Sequence, residues 1–355
     1  MIKKLLFVCC IAITALSNAQ DEVLVIEDKA SVKLKASQEA YNNGVIAYSS
    51  GDMVKAEALY TKALVGNERF AKALYNRAVV RHQLNKLHLS IKDYKRLLTT
   101  TNNDYPVHLG LARVYFDRKN YQEAEEHLIH HLSKHPKDAK AYYLLGSVEY
   151  ISEKYEESSD AYSKAIDLNP KYSDAYHDRA SAYKKQDLLI KASVDYKRAI
   201  KLKPNSILYK QNLAALYRDN KEYGKAINLY SEALHLDANN QILLNNRGRA
   251  YFENNNFEQA KKDFEQVIKV NANYALAYNN LGNVYYKIKD YHQAESQYTK
   301  ALSVDPALGI AYFNRGNVRE MLRNTNGACE DWTKAVEYNV ISSVVAYGGQ
   351  ICNKK

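Results

Sequence analysis

Residues 278–285 read Tyr278-Asn279-Asn280-Leu281-Gly282-Asn283-Val284-Tyr285, and Ala294, Tyr298, Ala301 and Pro306 follow. Apolar and small residues spaced i, i+3, i+4 and i+7 mark a helix with one buried face. Tyr278, Leu281, Gly282 and Tyr285 make one such face, and Ala294, Tyr298 and Ala301 make a second. Pro306 ends the second helix, because proline has no amide proton to donate and disfavours the helical conformation of the residue before it. The stretch therefore predicts a helical hairpin.

Working outward, the same pattern recurs at a constant stride. From Ser37 to Ser342 the chain divides without insertion or deletion into nine blocks of 34 residues: 37–70, 71–104, 105–138, 139–172, 173–206, 207–240, 241–274, 275–308 and 309–342. Counting places from the start of each block, place 8 holds Gly44, Ala78, Ala112, Gly146, Ala180, Ala214, Gly248, Gly282 and Gly316. Place 20 holds only Ala or Ser, from Ala56 to Ala328. Small residues at both places predict that two antiparallel helices cross closely there. Place 24 is large: Tyr60, Tyr94, Leu128, Tyr162, Tyr196, Tyr230, Phe264, Tyr298 and Trp332. It supplies the bulk for which the small places leave room. Turn signals such as Ser50-Gly51-Asp52 and Asn254-Asn255-Asn256 separate the helices, and Pro136, Pro170, Pro204 and Pro306 sit at place 32.

In these residues the chain resembles the tetratricopeptide repeat family over residues 37–342. The resemblance implies an all-α, right-handed superhelical solenoid of nine helix-turn-helix repeats, in which each hairpin buries its apolar face only by stacking on its neighbours. Some places depart from the pattern. Leu97 and His131 stand where the family has alanine, and Ala47, Arg81, Glu149 and Arg319 replace an aromatic at place 11. Looser packing is expected toward the N-terminal repeats. Residues 20–36 read as a leader and 343–355 as a C-terminal capping helix and tail.

The composition fits this reading: 31 Tyr against 13 Gly and 5 Pro favour long amphipathic helices over a turn-rich β fold. Lys3 and Lys4, the apolar run Leu5–Leu16 and the small residues around Ala19 have the layout of a secretory signal over residues 1–19, too short to span a bilayer. The chain is expected to be exported to the periplasm, the outer envelope or the extracellular space, with no transmembrane segment once mature. Lys3 and Lys4 are the only charges in that segment, so its removal takes the formal charge from +10 to +8. Basic and acidic residues alternate along the helices, which argues for a solvated face and against a nucleic-acid partner.

Cys329 and Cys352 are the cysteines beyond the signal. If the capping helix keeps the register, both fall at interior places, where they form either a disulfide or two separate buried thiols. A bond would contribute about 3 kcal/mol through loop entropy.

In the family, places 2, 5, 6, 9, 12 and 13 line a concave groove. By that register the inner wall carries Gln211, Asn212, Asn245, Asn246, Arg249, Asn279, Asn280, Asn283, Asn314 and Asn317, an amide-lined stripe. Asparagine offers both an acceptor and donors, so a ladder of them suits the main chain of an extended peptide. Otherwise these amides are solvated or bond to adjacent loops. His127, His131 and His135 share one helical face and could chelate a divalent ion; the alternative is a packed histidine with solvated neighbours. The sequence carries no Gly-rich phosphate loop, nucleophile elbow or His-Glu-x-x-His motif. The expectation is a non-catalytic scaffold, without a cofactor, that binds a protein or peptide segment. The alternatives are a structural part of a cell-envelope complex, with self-association, and metal binding through the repeat-three histidines.

Overall fold

The computed structural model describes residues 29–100, 106–340 and 352. The signal segment 1–19 and the capping helix 343–355, apart from Cys352, lie outside the described residues. Among those described there are eighteen α-helices and no strand.

The chain divides into two compact units, Met1–Gly110 and Leu111–Lys355. In the first, α1 (Lys29–Ser49) pairs with α2 (Met53–Gly66), and α3 (Ala71–Gln83) with α4 (Leu87–Thr100). The division falls inside α5 (Val107–Asp117), and α6 (Tyr121–Lys134) follows in the second unit. There α7 (Ala139–Ile151) pairs with α8 (Tyr155–Leu168), α9 (Ser173–Lys185) with α10 (Leu189–Leu202), and α11 (Ile207–Asp219) with α12 (Tyr223–Leu236). The last three hairpins are α13 (Gln241–Glu253) with α14 (Phe257–Val270), α15 (Ala275–Lys287) with α16 (Tyr291–Val304), and α17 (Gly309–Met321) with α18 (Thr325–Glu337). From α7 onward every first helix begins on the first residue of a block. At the other end α1 starts at Lys29, so part of the expected leader is continuous with the first helix.

The turns inside the hairpins share one device. Place 15 has a positive φ in every repeat: Gly51 at 84°, then Asn85, Lys119, Glu153, Asp187, Lys221, Asn255, Lys289 and Arg323 between 57° and 65°. The left-handed residue lets the next amide reach back over the end of the first helix, as Asp290 N does to Tyr285 O at 2.9 Å. The following side chain often starts the second helix: Asp52, Asn256, Asp290 and Asn324 each accept a backbone N–H of the first turn.

Within each hairpin the core is set by places 8, 20 and 24. A methyl group added at Gly248 would lie 2.7 Å from the Phe264 ring, and one at Gly282 would lie 2.6 Å from the Tyr298 ring. Glycine is required there by the close approach of the aromatic residue. Where place 20 is serine, its hydroxyl donates to the carbonyl of place 8: Ser90 to Ala78 at 2.7 Å and Ser158 to Gly146 at 2.8 Å. The two helices thus touch at backbone distance. Leu97 and His131 are buried despite their departure from alanine.

Between repeats a second device appears that the apolar pattern did not reveal. Arg77, Arg179, Arg247 and Arg315, all at place 7, each make a two-pronged contact of 2.7–2.9 Å with Asp93, Asp195, Asp263 and Asp331 at place 23 of their own repeat. Each arginine also donates to a hydroxyl at place 25 of the preceding repeat: Thr61, Ser163, Ser231 and Thr299, at 2.9–3.2 Å. The clips join repeats one to two, four to five, six to seven and eight to nine. In the other repeats from three onward, place 7 is leucine.

Candidate binding groove

The first helices of repeats seven to nine, α13, α15 and α17, bring part of the expected wall together. Asn245, Arg249, Asn279, Asn280 and Asn283 line a cavity of about 380 Å³ with Phe252, Glu253, Leu276 and Ile310. All nine stand at places 2, 5, 6, 9, 12 or 13. Phe264, at place 24, completes the lining. Asn246 on α13 and Asn314 and Asn317 on α17 do not line this cavity, and neither do Gln211 and Asn212 on α11.

Many of the amides are engaged within the protein. Place 6 of one repeat donates to place 5 of the repeat before it: Asn280 Nδ2 to Asn245 Oδ1 at 2.9 Å and Asn314 Nδ2 to Asn279 Oδ1 at 3.0 Å. Asn212 Nδ2 meets His177 Nε2 at 2.8 Å, and the His177 Nδ1 atom lies 2.7 Å from Asp178. Between repeats four and five the polarity reverses, with Tyr143 donating to Asp178 at 2.6 Å. Burial, reinforced by the Asp178 carboxylate, raises the pKa of that Tyr143 hydroxyl. In repeat one to two the corresponding pair is Asn76 with Tyr41. These bonds tie successive first helices together.

Place 9 has a different duty. Asn283 accepts from the Tyr298 hydroxyl at 2.7 Å, and Asn317 accepts from the Trp332 indole at 3.0 Å. Ser147 and Ser181 meet Tyr162 and Tyr196 in the same way. The buried aromatic residue of the second helix therefore has its polar end satisfied from the groove side.

Three of the expected side chains are not committed to hydrogen bonds within the described residues. Gln211 and Asn246 make no side-chain hydrogen bond to the described residues, and Arg249 is exposed, with Glu253 at a loose 3.9 Å. At the edge of repeat six, burial works to raise the Asp219 carboxyl, but hydrogen bonds from Lys184 and Arg218 outweigh it and hold the pKa below the usual value. That acid is already neutralised.

The sequence reading missed an apolar stripe beside the amides. Place 2 holds Leu208, Ile242, Leu276 and Ile310 in repeats six to nine, all between 39% and 54% exposed. In repeats one to five the same place holds Gln38, Lys72, Pro106, Lys140 and Asp174. This change of residue type at one place was the available signal.

Family models described as tetratricopeptide repeat match residues 89–148, 173–206 and 275–308. One described as TPR repeat matches 146–187 and 248–289. The chain is a tetratricopeptide repeat protein. A tetratricopeptide repeat protein from Parabacteroides merdae has a similar structure, with a TM-score of 0.56 at 17% identity over 69% of this chain and 96% of that one. PilF of Pseudomonas aeruginosa matches with a TM-score of 0.50 at 17% identity, over 61% of this chain and 97% of its own. Both show a shared fold. No curated protein matches the sequence.

Tetratricopeptide repeats mediate protein–protein interactions and are typically non-catalytic scaffolds. In the repeat-three histidine cluster, His131 is buried with Nε2 3.1 Å from Asp138, its ring stacks on His135 at 4.6 Å, and His127 stacks on Tyr115 at 5.6 Å. Among the described residues no group of three or more His, Cys, Asp or Glu side chains is placed to hold a metal ion. At the end of the array Cys329 and Cys352 are joined by a disulfide, with Cα atoms 5.7 Å apart. No described helix is long and apolar enough to cross a membrane.

Proposed function

We propose that this tetratricopeptide array is a scaffold that holds an extended segment of a partner protein along the inner wall of repeats six to nine. The observation that carries the reading is the coincidence, in those repeats, of an exposed aliphatic stripe with uncommitted amides beside a cavity of about 380 Å³. Successive side chains of an extended segment point to opposite faces, so one edge can cover Leu276 and Ile310 while its main chain pairs with Asn246 and the free positions of the ladder. Arg249 stands ready for a polar or acidic side chain at the cavity mouth.

Selection of peptides from a random displayed library, followed by affinity measurement on one selected sequence, tests the reading. Changing Leu276 and Ile310 to serine together is expected to weaken binding at least tenfold, since about 1.4 kcal/mol suffices for that factor. Unchanged affinity would remove the groove from consideration. Export through residues 1–19 belongs to the same proposal. N-terminal sequencing of the protein recovered from its native cell should begin at Gln20, and a chain retaining Met1 would refute it.

A further inference from the structure

Place 11 usually carries a tyrosine, but Arg81, Glu149 and Arg319 replace it in repeats two, four and nine. Each faces a glutamate at place 21 of the preceding repeat. In two of the joints this makes an ion pair: Arg81 Nε lies 2.9 Å from Glu57, and Arg319 Nε lies 2.8 Å from Glu295. Both arginines also reach the buried aspartate at place 23, Asp93 or Asp331. Between repeats three and four the register brings two acids together, Glu125 from α6 and Glu149 from α7.

Their circumstances differ. Glu125 is matched by Lys154, whose Nζ lies 2.9 and 2.8 Å from its two oxygens. Glu149 is 7% exposed, and its Oε2 atom is buried without a hydrogen-bond partner. An ionised carboxylate in that position would be uncompensated, and burial of an unpaired charge is strongly unfavourable.

We propose that the joint between repeats three and four is proton-sensitive: Glu149 packs there as the neutral acid, and loss of its proton loosens α7 from its neighbours. Burial first, then the carboxylates of Glu125 and of Glu157 on α8, push the Glu149 carboxyl up to about 7, against the opposing pull of Lys154 and Lys164. On α9 the nearby charges are taken up elsewhere, Arg179 by Asp195 and Asp178 by Tyr143 and His177. On α6, His131 is occupied by Asp138. Because the folded-state value is raised, the stabilising effect is complete below the ordinary glutamate range and is lost as pH rises through about 7.

Amide hydrogen exchange in α7 and α8, measured from pH 6 to 8.5 and corrected for intrinsic rates, tests this in the full chain. Relative to Glu149→Gln, which cannot ionise, the unmodified protein should open more readily as pH rises, approaching about tenfold per pH unit below 7, where opening releases one proton, and levelling off above it. Parallel profiles in the two proteins would overturn the proposal. Carbon-13 NMR of the Glu149 carboxyl is a second readout that does not depend on the variant folding. A midpoint near 7 supports the proposal, and one near the ordinary value of about 4.3 overturns it.

Discussion

Tyr298 donates its phenolic proton to Asn283 Oδ1 at 2.7 Å, from place 24 of the repeat to place 9. Tyr230 stands at the same place in repeat six, fully buried, but place 9 there is Ala215 and its hydroxyl has no partner. One hydroxyl has an acceptor at place 9 and the other has none, so the same substitution should have opposite signs. Tyr298→Phe should lower stability by about 1 kcal/mol, whereas Tyr230→Phe should raise it by about 1 kcal/mol, as read from urea denaturation. Ala215→Ser should recover a similar gain in the original chain and none in the chain already carrying Tyr230→Phe.

Removing the ring altogether separates packing from hydrogen bonding. Tyr298 is 1% exposed, so Tyr298→Ala should cost about 3–5 kcal/mol. A loss below 1 kcal/mol would contradict its place in the core.

The arginine clips are specific more than they are stabilising. Burial outweighs the pull of Arg247 and leaves the Asp263 carboxyl above its ordinary range, so the pair is desolvated at a cost close to its gain. Arg247→Ala, which strands Asp263, should cost about 3–5 kcal/mol. Replacing both Arg247 and Asp263 by leucine, the residues found as Leu213 and Leu229 in repeat six, should bring stability back to within about 1 kcal/mol of the original. Calorimetric melting of the three proteins gives the comparison.

Lys289 is held at a φ of 65°, a conformation that glycine adopts without penalty. Lys289→Gly should therefore stabilise by about 1 kcal/mol. Two residues earlier, at the last residue of α15, Lys287→Gly should instead lower stability, by up to about 1 kcal/mol. Denaturation midpoints moving in the same direction would exclude the explanation from backbone conformation.

The hairpins were legible because their determinants are local: Gly282 and Tyr298 lie in one repeat, and the helical period fixes which residues share a face. What the sequence hid was contact between repeats. Asn280 bonding to Asn245, or Arg247 reaching Ser231, depends on how one hairpin is rotated on the next, which no single period encodes. The covariation was present, since a hydroxyl occupies place 25 ahead of each arginine at place 7, but only the stacked geometry says that those places meet. For the expected groove, the sequence did not show which amides the protein itself engages. An asparagine such as Asn283 looks available in the sequence, yet it is occupied by Tyr298 and Asn314. Ile242 is half-exposed, as are Leu208, Leu276 and Ile310 at the same place, and a stripe that runs across repeats is marked by no period within one helix.

The clips also give the second unit a parity. From repeat four onward the arginines are found at every second joint, so the natural module for engineering is a couplet and not a single hairpin. Excising residues 241–308 would set repeat nine directly behind repeat six and present Arg315 to Ser231, an acceptor of the kind it already uses. Excising 275–308 alone would present it to Glu265, at the place where it now finds Thr299. Shortened arrays cut in phase and out of phase should thus differ in cooperativity, although both retain whole repeats.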